Sequence, residues 1–278
     1  MDDAIEHYRQ NLAIAREIGD RRGEGNALGN LGLAYAALGR VDDAIEHYRQ
    51  QLVIAREIGD RRGEGNALGN LGLAYADLGR VDDAIEHYRQ WLVIAREIGD
   101  RRGEGNALGN LGLAYADLGR VDDAIEHYRQ NLAIAREIGD RRGEGSALGN
   151  LGNAYAALGR LDDAIEHYRQ RLAIAREIGD RRGEGNALGN LGSAYAALGR
   201  LDDAIEHYRQ RLVIALEIGD RRGEANGSWN LAVALVKRDR HTKAIPFAER
   251  SLAYFEEIGH PCAKADRETL AKWRTQIG

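Results

Sequence analysis

Cysteine is nearly absent from this chain: Cys262 is the only one in 278 residues. A single thiol cannot close an intramolecular disulfide, so a secreted scaffold stapled by cystines is excluded. Proline is almost as scarce, and of Pro246 and Pro261 the second, in His260-Pro261, breaks the chain near its C-terminal end. No apolar run approaches the roughly 18–20 residues that a membrane-spanning helix needs. The N-terminus, Met1-Asp2-Asp3-Ala4, has neither the basic nor the apolar region of a signal peptide. There is no excess of positive charge either. The 39 basic and 44 acidic residues leave a net charge of −5. That balance argues against nucleic acid, whose phosphates need a basic patch, and against an anionic membrane surface. A cytoplasmic protein is the expectation.

What the chain has instead is repetition. Val41–Arg80 recurs almost unchanged as Val81–Arg120, Val121–Arg160 and Leu161–Arg200, and degenerate copies follow from Leu201. Length alone would allow one or two globular domains, but repeats of this kind pack only on their neighbours. The boundaries read as a half repeat over 1–20, full repeats over 21–60, 61–100, 101–140, 141–180, 181–220 and 221–260, and a C-terminal capping helix over 261–278.

Each repeat holds two helical patterns. In the first, about Arg21 to Leu38, Leu28, Leu31, Tyr35 and Leu38 recur at spacings of three and four. Asp20 suits the N-cap, and Gly39 suits a left-handed end with Val41 as its apolar contact. The second runs from about Asp43 to Ile58, with Asp42 as N-cap and an apolar face of Ala44, Ile45, Tyr48, Leu52, Ala55 and Ile58. Turns of two or three residues force the helices antiparallel. Gly23, Gly25, Gly29 and Gly32 weaken the first helix by roughly 1 kcal/mol each. They are tolerated if backbones approach closely there, or Gly23 and Gly25 mark a looser helix start.

Leu31-Gly32-x-x-Tyr35 followed by Ala44-x-x-x-Tyr48 resembles the tetratricopeptide repeat signature. Two features depart from it: the period is 40 rather than 34, and no proline closes the second helix. The phrase Gly59-Asp60-Arg61-Arg62-Gly63-Glu64 with Gly69-Asn70-Leu71-Gly72 is similar to the long variant found in Pins/LGN-type adaptors. Similar arrays occur in bacterial NB-ARC-type signalling ATPases. The resemblance covers about residues 1–258. It implies an all-α, right-handed α-α superhelix, a tetratricopeptide-like solenoid of antiparallel helix pairs with a C-terminal capping helix. The implied function is a non-enzymatic scaffold binding a protein or extended peptide in a concave groove.

Residues 26, 30, 33 and 37 share one face of the first helix by their spacing, and the resemblance places that face in the groove. The candidate peptide-binding residues are Asn26, Asn30, Leu33, Asn66, Asn70, Leu73, Asp77, Asn106, Asn110, Leu113, Asp117, Asn150, Asn153, Asn186, Asn190, Ser193 and Asn230. An asparagine ladder offers donors and acceptors to an extended backbone. Its other reading is a hydrogen bond from each amide to the adjacent helix. The leucines would take apolar side chains, and Asp77 and Asp117 a basic one. Clamps for C-terminal carboxylates use groove lysines, and none precedes Lys237, which sets that ligand class aside.

No catalytic, cofactor or metal site is legible. His7 and its copies stand one per repeat, roughly 18–20 Å apart from helix spacing, far beyond ligand distances. Gly23-Glu24-Gly25 lacks the strand and the lysine of a phosphate loop. Asp42, Asp43 and Glu46 complement a helix dipole. Trp91 stands where other repeats have Asn11, Gln51, Asn131 or Arg171. A position tolerating all of these is expected to be exposed, and its tryptophan is a chance occurrence or a convex-side contact. At the N-terminus Met1 takes the place of Val41, leaving a lone second helix with an uncovered apolar face. That end implies either a fragment of a longer protein or pairing with another copy, and the alternative function is a self-associating, oligomerising or sensor segment of a larger bacterial signalling ATPase. At the other end Ala263–Ile277, with Leu270 and Trp273, reads as the capping helix.

Overall fold

Every 40 residues an aspartate starts a helix. The carboxylate of Asp20 accepts the N–H of Gly23 at 2.9 Å, and Asp60, Asp100, Asp180 and Asp220 repeat the bond at the same length. One free donor of the first turn is thereby satisfied. The computed structural model describes residues 2–276; Met1 and Ile277, on which the expected outer ends of the array fall, lie outside the described residues. Among the described residues every regular element is a helix.

The chain forms two compact units. The unit Met1–Asp140 holds α1 (Asp2–Ile18), α2 (Arg21–Ala37), α3 (Val41–Glu57), α4 (Arg61–Asp77), α5 (Val81–Glu97), α6 (Arg101–Asp117) and α7 (Val121–Glu137). The unit Arg141–Gly278 holds α8 (Arg141–Ala157), α9 (Leu161–Glu177), α10 (Arg181–Ala197), α11 (Leu201–Glu217), α12 (Arg221–Val236), α13 (His241–Glu257) and α14 (Ala263–Thr275). Within each unit consecutive helices pack as neighbours.

The turns follow one physical scheme. Gly39 adopts φ +71°, its N–H bonds to the carbonyl of Ala36 at 2.9 Å, and the N–H of Arg40 bonds to Tyr35 at 3.0 Å. This is the paired closure of a Schellman end. The guanidinium of Arg40 also lies 4.6 Å from the centre of the Tyr35 ring. The following helix therefore starts at Val41 and not Asp43: Arg40 is its N-cap, without a side-chain cap bond. Asp42 is not the cap. It sits with Asp43 in the first turn, and Asp43 accepts from Arg40 Nε at 2.7 Å.

The first helices start at Arg21, so Gly23 and Gly25 lie inside regular helix and not in a looser start. Backbones do not approach at the glycines; side chains fill the space. The Asp20 carboxylate occupies the place of a Cβ on Gly23, the Tyr48 ring that on Gly32, and Ile54 packs on Gly25. Leu28, Leu31, Tyr35, Ala44, Ile45 and Tyr48 form the buried core, while Leu38 and Ile58, as C-caps, keep 41% and 39% exposure.

A buried carboxylate joins successive helices. Glu64 is 5% exposed and accepts from Arg56 of α3 at 2.8 Å and Arg61 of α4 at 2.5 Å. Arg61 also pairs with Glu97 at the end of α5. Arg176, Glu184, Arg181 and Glu217 repeat the chain across α9, α10 and α11. The sequence reading did not single out this glutamate.

Departures collect at the C-terminal end. Leu216 replaces the arginine that elsewhere reaches the buried glutamate, and Glu224 takes Arg250 at 3.4 Å instead. α13 carries Pro246 inside it, and α14 packs on α13 with Leu270 buried. At the other end, Ile14 of α1 is 54% exposed, whereas its counterpart Ile54 is 4% exposed.

Candidate groove and its relatives

In the unit Met1–Asp140 the polar faces of α2, α4 and α6 lie side by side. Asn26, Asn30, Leu33, Asn66, Asn70, Leu73, Asn106 and Asn110 line one groove of about 590 Å³. The side chains of Asn30, Asn70 and Asn110 make no hydrogen bond among the described residues. Leu113, Asp77 and Asp117 are exposed but do not line this groove. Asp77 and Asp117 act on the tyrosines beneath. Burial raises the hydroxyls of Tyr88 and Tyr128, and these aspartates raise them further, Tyr128 to about 12.

The groove has a contributor from the second helices. Gln51 and Trp91 line it together with Gly29 and Gly69. A Cβ on Gly69 would stand 3.1 Å from Cε3 of the Trp91 indole, and one on Gly29 would stand 2.7 Å from Nε2 of Gln51. The missing side chain opens a window in the first helix, and the residue behind it reaches through. Trp91 is accordingly half-buried in the groove; it is neither fully exposed nor a convex-side residue. Asn131 uses the same register to donate from Nδ2 to the carbonyl of Gly105 at 2.7 Å. Variation at this register was visible in the sequence, but its side of the fold was not.

In the unit Arg141–Gly278 the corresponding face is more constrained. Asn190 donates from Nδ2 to Oδ1 of Asn153 at 3.2 Å, and the same oxygen accepts the Tyr168 hydroxyl at 2.8 Å. Ser193 donates to the carbonyl of Gly189 at 3.1 Å and lies 3.2 Å from the Tyr208 hydroxyl. Asn153 and Asn190 are thus bonded to each other across α8 and α10. Asn186 is exposed, and Asn150 is half-buried. Asn230 lines a second cavity of about 420 Å³ with Arg211, Arg222, Trp229 and His260.

The glycine windows of this unit admit arginines. Arg171 stands against Gly149 and Arg211 against Gly189. Burial lowers both guanidinium pKa values, while Asp180 and Asp220, respectively, act the other way. Neither arginine has an ion pair or hydrogen bond among the described residues. Both cations arrive from the second helices, Arg171 from α9 and Arg211 from α11.

The remaining polar groups are engaged structurally. His47 lies 5.0 Å from the Tyr35 ring, centre to centre, and its Nδ1 bonds to the carbonyl of Asp43 at 2.7 Å. Glu46 accepts from Gln50 at 2.8 Å. Among the described residues no group of His, Cys, Asp and Glu is placed to hold a metal ion, and no helix is long and apolar enough to cross a membrane.

Comparison with known proteins agrees with this architecture. The tetratricopeptide repeat model matches residues 1–57, 24–97, 63–137, 103–177, 144–216 and 183–257. Comparison with curated proteins finds no match. Among solved structures, the STAND protein of Pyrococcus horikoshii with a tetratricopeptide repeat sensor is similar with a TM-score of 0.83 and 20% identity, covering 97% of this chain and 41% of that one. BtubC from P. vanneervenii is similar with a TM-score of 0.72 and 21% identity, over 78% of this chain and 92% of that one. A Rap protein complexed with Competence and Sporulation Factor gives 0.64 and 16% identity, over 99% and 85%. At these identities the structures show a shared fold. With the repeat model spanning nearly the whole sequence, the chain belongs to the tetratricopeptide repeat family.

Proposed function

We propose that the chain is a non-enzymatic protein-interaction scaffold that binds a peptide or partner domain along the asparagine-lined faces of its first helices. The observation that carries this reading is that Asn30, Asn70 and Asn110 line one groove with amides that make no hydrogen bond among the described residues. Each amide offers donors and an acceptor, the complement of an extended peptide backbone. Leu33 and Leu73 add apolar surface beside them. Asn150, Asn153, Asn186, Asn190, Ser193 and Asn230 form the corresponding face of the second unit, and the exposed Leu113, Asp77 and Asp117 extend the first. Membership of the family and the complexed state of the Rap relative support this reading. It assigns no cofactor, catalytic residue, nucleic acid or membrane partner, and it places the chain in the cytoplasm.

Recovery of partners from native lysate by the parent chain and by Asn70→Ala/Asn110→Ala/Leu73→Asp tests the groove. Loss of specific partners in the variant is expected; unchanged recovery overturns the assignment. A second reading is self-association through α1, motivated by Ile14 at 54% and Ile18 at 70% exposure. The tetratricopeptide repeat sensor of the STAND relative is compatible with it. Light scattering across a wide concentration range decides it, because a strictly monomeric species rejects self-association.

A further inference from the structure

The groove of the unit Met1–Asp140 is lined entirely by uncharged side chains: amides, glycines, leucines and one indole. A charged ligand side chain entering it would lose hydration without meeting a counter-charge. Apolar chemistry is concentrated at Trp91. Its indole lies across Gly65 and Gly69, where a Cβ at either position would come within 3.1 Å of the ring. Those glycines form the floor that lets the ring lie half-buried with the rest of its surface in the groove. The same register in this unit otherwise carries Asn11, Gln51 and Asn131, and Trp91 is the one aromatic residue that lines the groove. Leu33 and Leu73 line the same groove.

A second observation points to a backbone ligand. Oε1 of Gln51 is buried without a hydrogen-bond donor. The last torsion of a glutamine is broad, so the amide can turn its oxygen into the groove when a donor arrives. A peptide N–H supplies that donor.

We propose that this groove selects an uncharged, extended peptide segment carrying an aromatic side chain, with Trp91 as the selecting residue and Gln51 as a backbone acceptor. The proposal rests on the peptide-binding reading above and names the ligand class for one unit. An aromatic side chain gains offset or edge-to-face contact with the indole beyond its area burial. Aliphatic side chains lack that contribution, and charged ones lose their hydration.

The test uses the full chain and three fluorescein-labelled Gly/Ser peptides, identical except for phenylalanine, glutamate or lysine at the same two positions. Fluorescence anisotropy is expected to show the phenylalanine peptide binding about tenfold more tightly than either charged one. Trp91→Asn introduces the residue that Asn131 places at this register, so the helix pair is preserved. It should abolish the preference, and Trp91→Phe should retain it. Equal binding of the three peptides, or a preference that survives Trp91→Asn, overturns the proposal. If no peptide binds, aromatic selection is overturned, while the groove assignment is still judged by partner recovery with the asparagine variant.

Discussion

Trp229 lies nearly parallel to Trp273, with ring centres 5.5 Å apart and planes 25° from parallel. Trp229 occupies the register of Gly29, Gly69, Gly109, Gly149 and Gly189, while Ser251 occupies that of Trp91 and Arg171. In the last repeat the bulk has moved from the second helix to the first. The window is closed, and its filler becomes the platform for α14. Trp273→Ala should therefore loosen α14, at a cost of about 1–2 kcal/mol. Amide hydrogen exchange should accelerate across Ala263–Thr275. Unchanged protection there would show that the stack does not hold the helix.

Gly72 leaves its side-chain space to the ring of Tyr88. In an exposed helix, glycine to alanine gains up to about 1 kcal/mol. Here Gly72→Ala should instead cost about 2 kcal/mol, because the added methyl must displace a packed ring. In a Tyr88→Ala background the sign should reverse, reproducing the Ala232 and Ala248 combination already present in the last repeat. Urea unfolding of the four chains measures the coupling, and a stabilising Gly72→Ala in the parent would refute the steric account.

Glu24 is buried, and its carboxyl is held below the usual range chiefly by the hydrogen bond from Arg16 at 2.8 Å, with Arg21 adding to it against burial. A depressed carboxylate stabilises the fold above its unfolded value, near pH ~4.3, and that contribution is lost as pH falls through the folded value. Glu24→Gln should destabilise by about 1–2 kcal/mol at pH 7. Thermal unfolding of the two chains should converge as the carboxylate protonates. A gap that persists in acid would show that shape, and not charge, is what the glutamate supplies.

Arg171 and Arg211 are half-buried cations with no ion pair or hydrogen bond among the described residues, and Gln51 shows that an amide fits the same register. Desolvating a charge without pairing it costs stability. Arg171→Gln/Arg211→Gln should raise the Tm by a few degrees, on the order of 1 kcal/mol for the pair. A lower Tm would mean that Asp180 and Asp220 already compensate them.

The period of 40 residues, the helix starts at Asp20 and its copies, the glycine stops and the apolar stripes were all legible in the sequence. Each depends on contacts within a few residues or on a strict repeat, and such signals survive without a fold. Placing Asn26, Asn30 and Leu33 on one face of their helix followed from helical spacing, and the groove along that face was what the resemblance to the tetratricopeptide repeat implied. Three features did not follow. Val41 begins its helix because Arg40 is spent closing the previous one and covering Tyr35. Glu64 is buried because arginines from two helices converge on it. Trp91 and Arg211 line cavities because glycines on a neighbouring helix open the way. In each case the deciding partner stands on another element or across a turn, at a distance that only packing defines. Repetition therefore set the architecture of this protein, and the packing of second-helix side chains through glycine windows decided what its surfaces present.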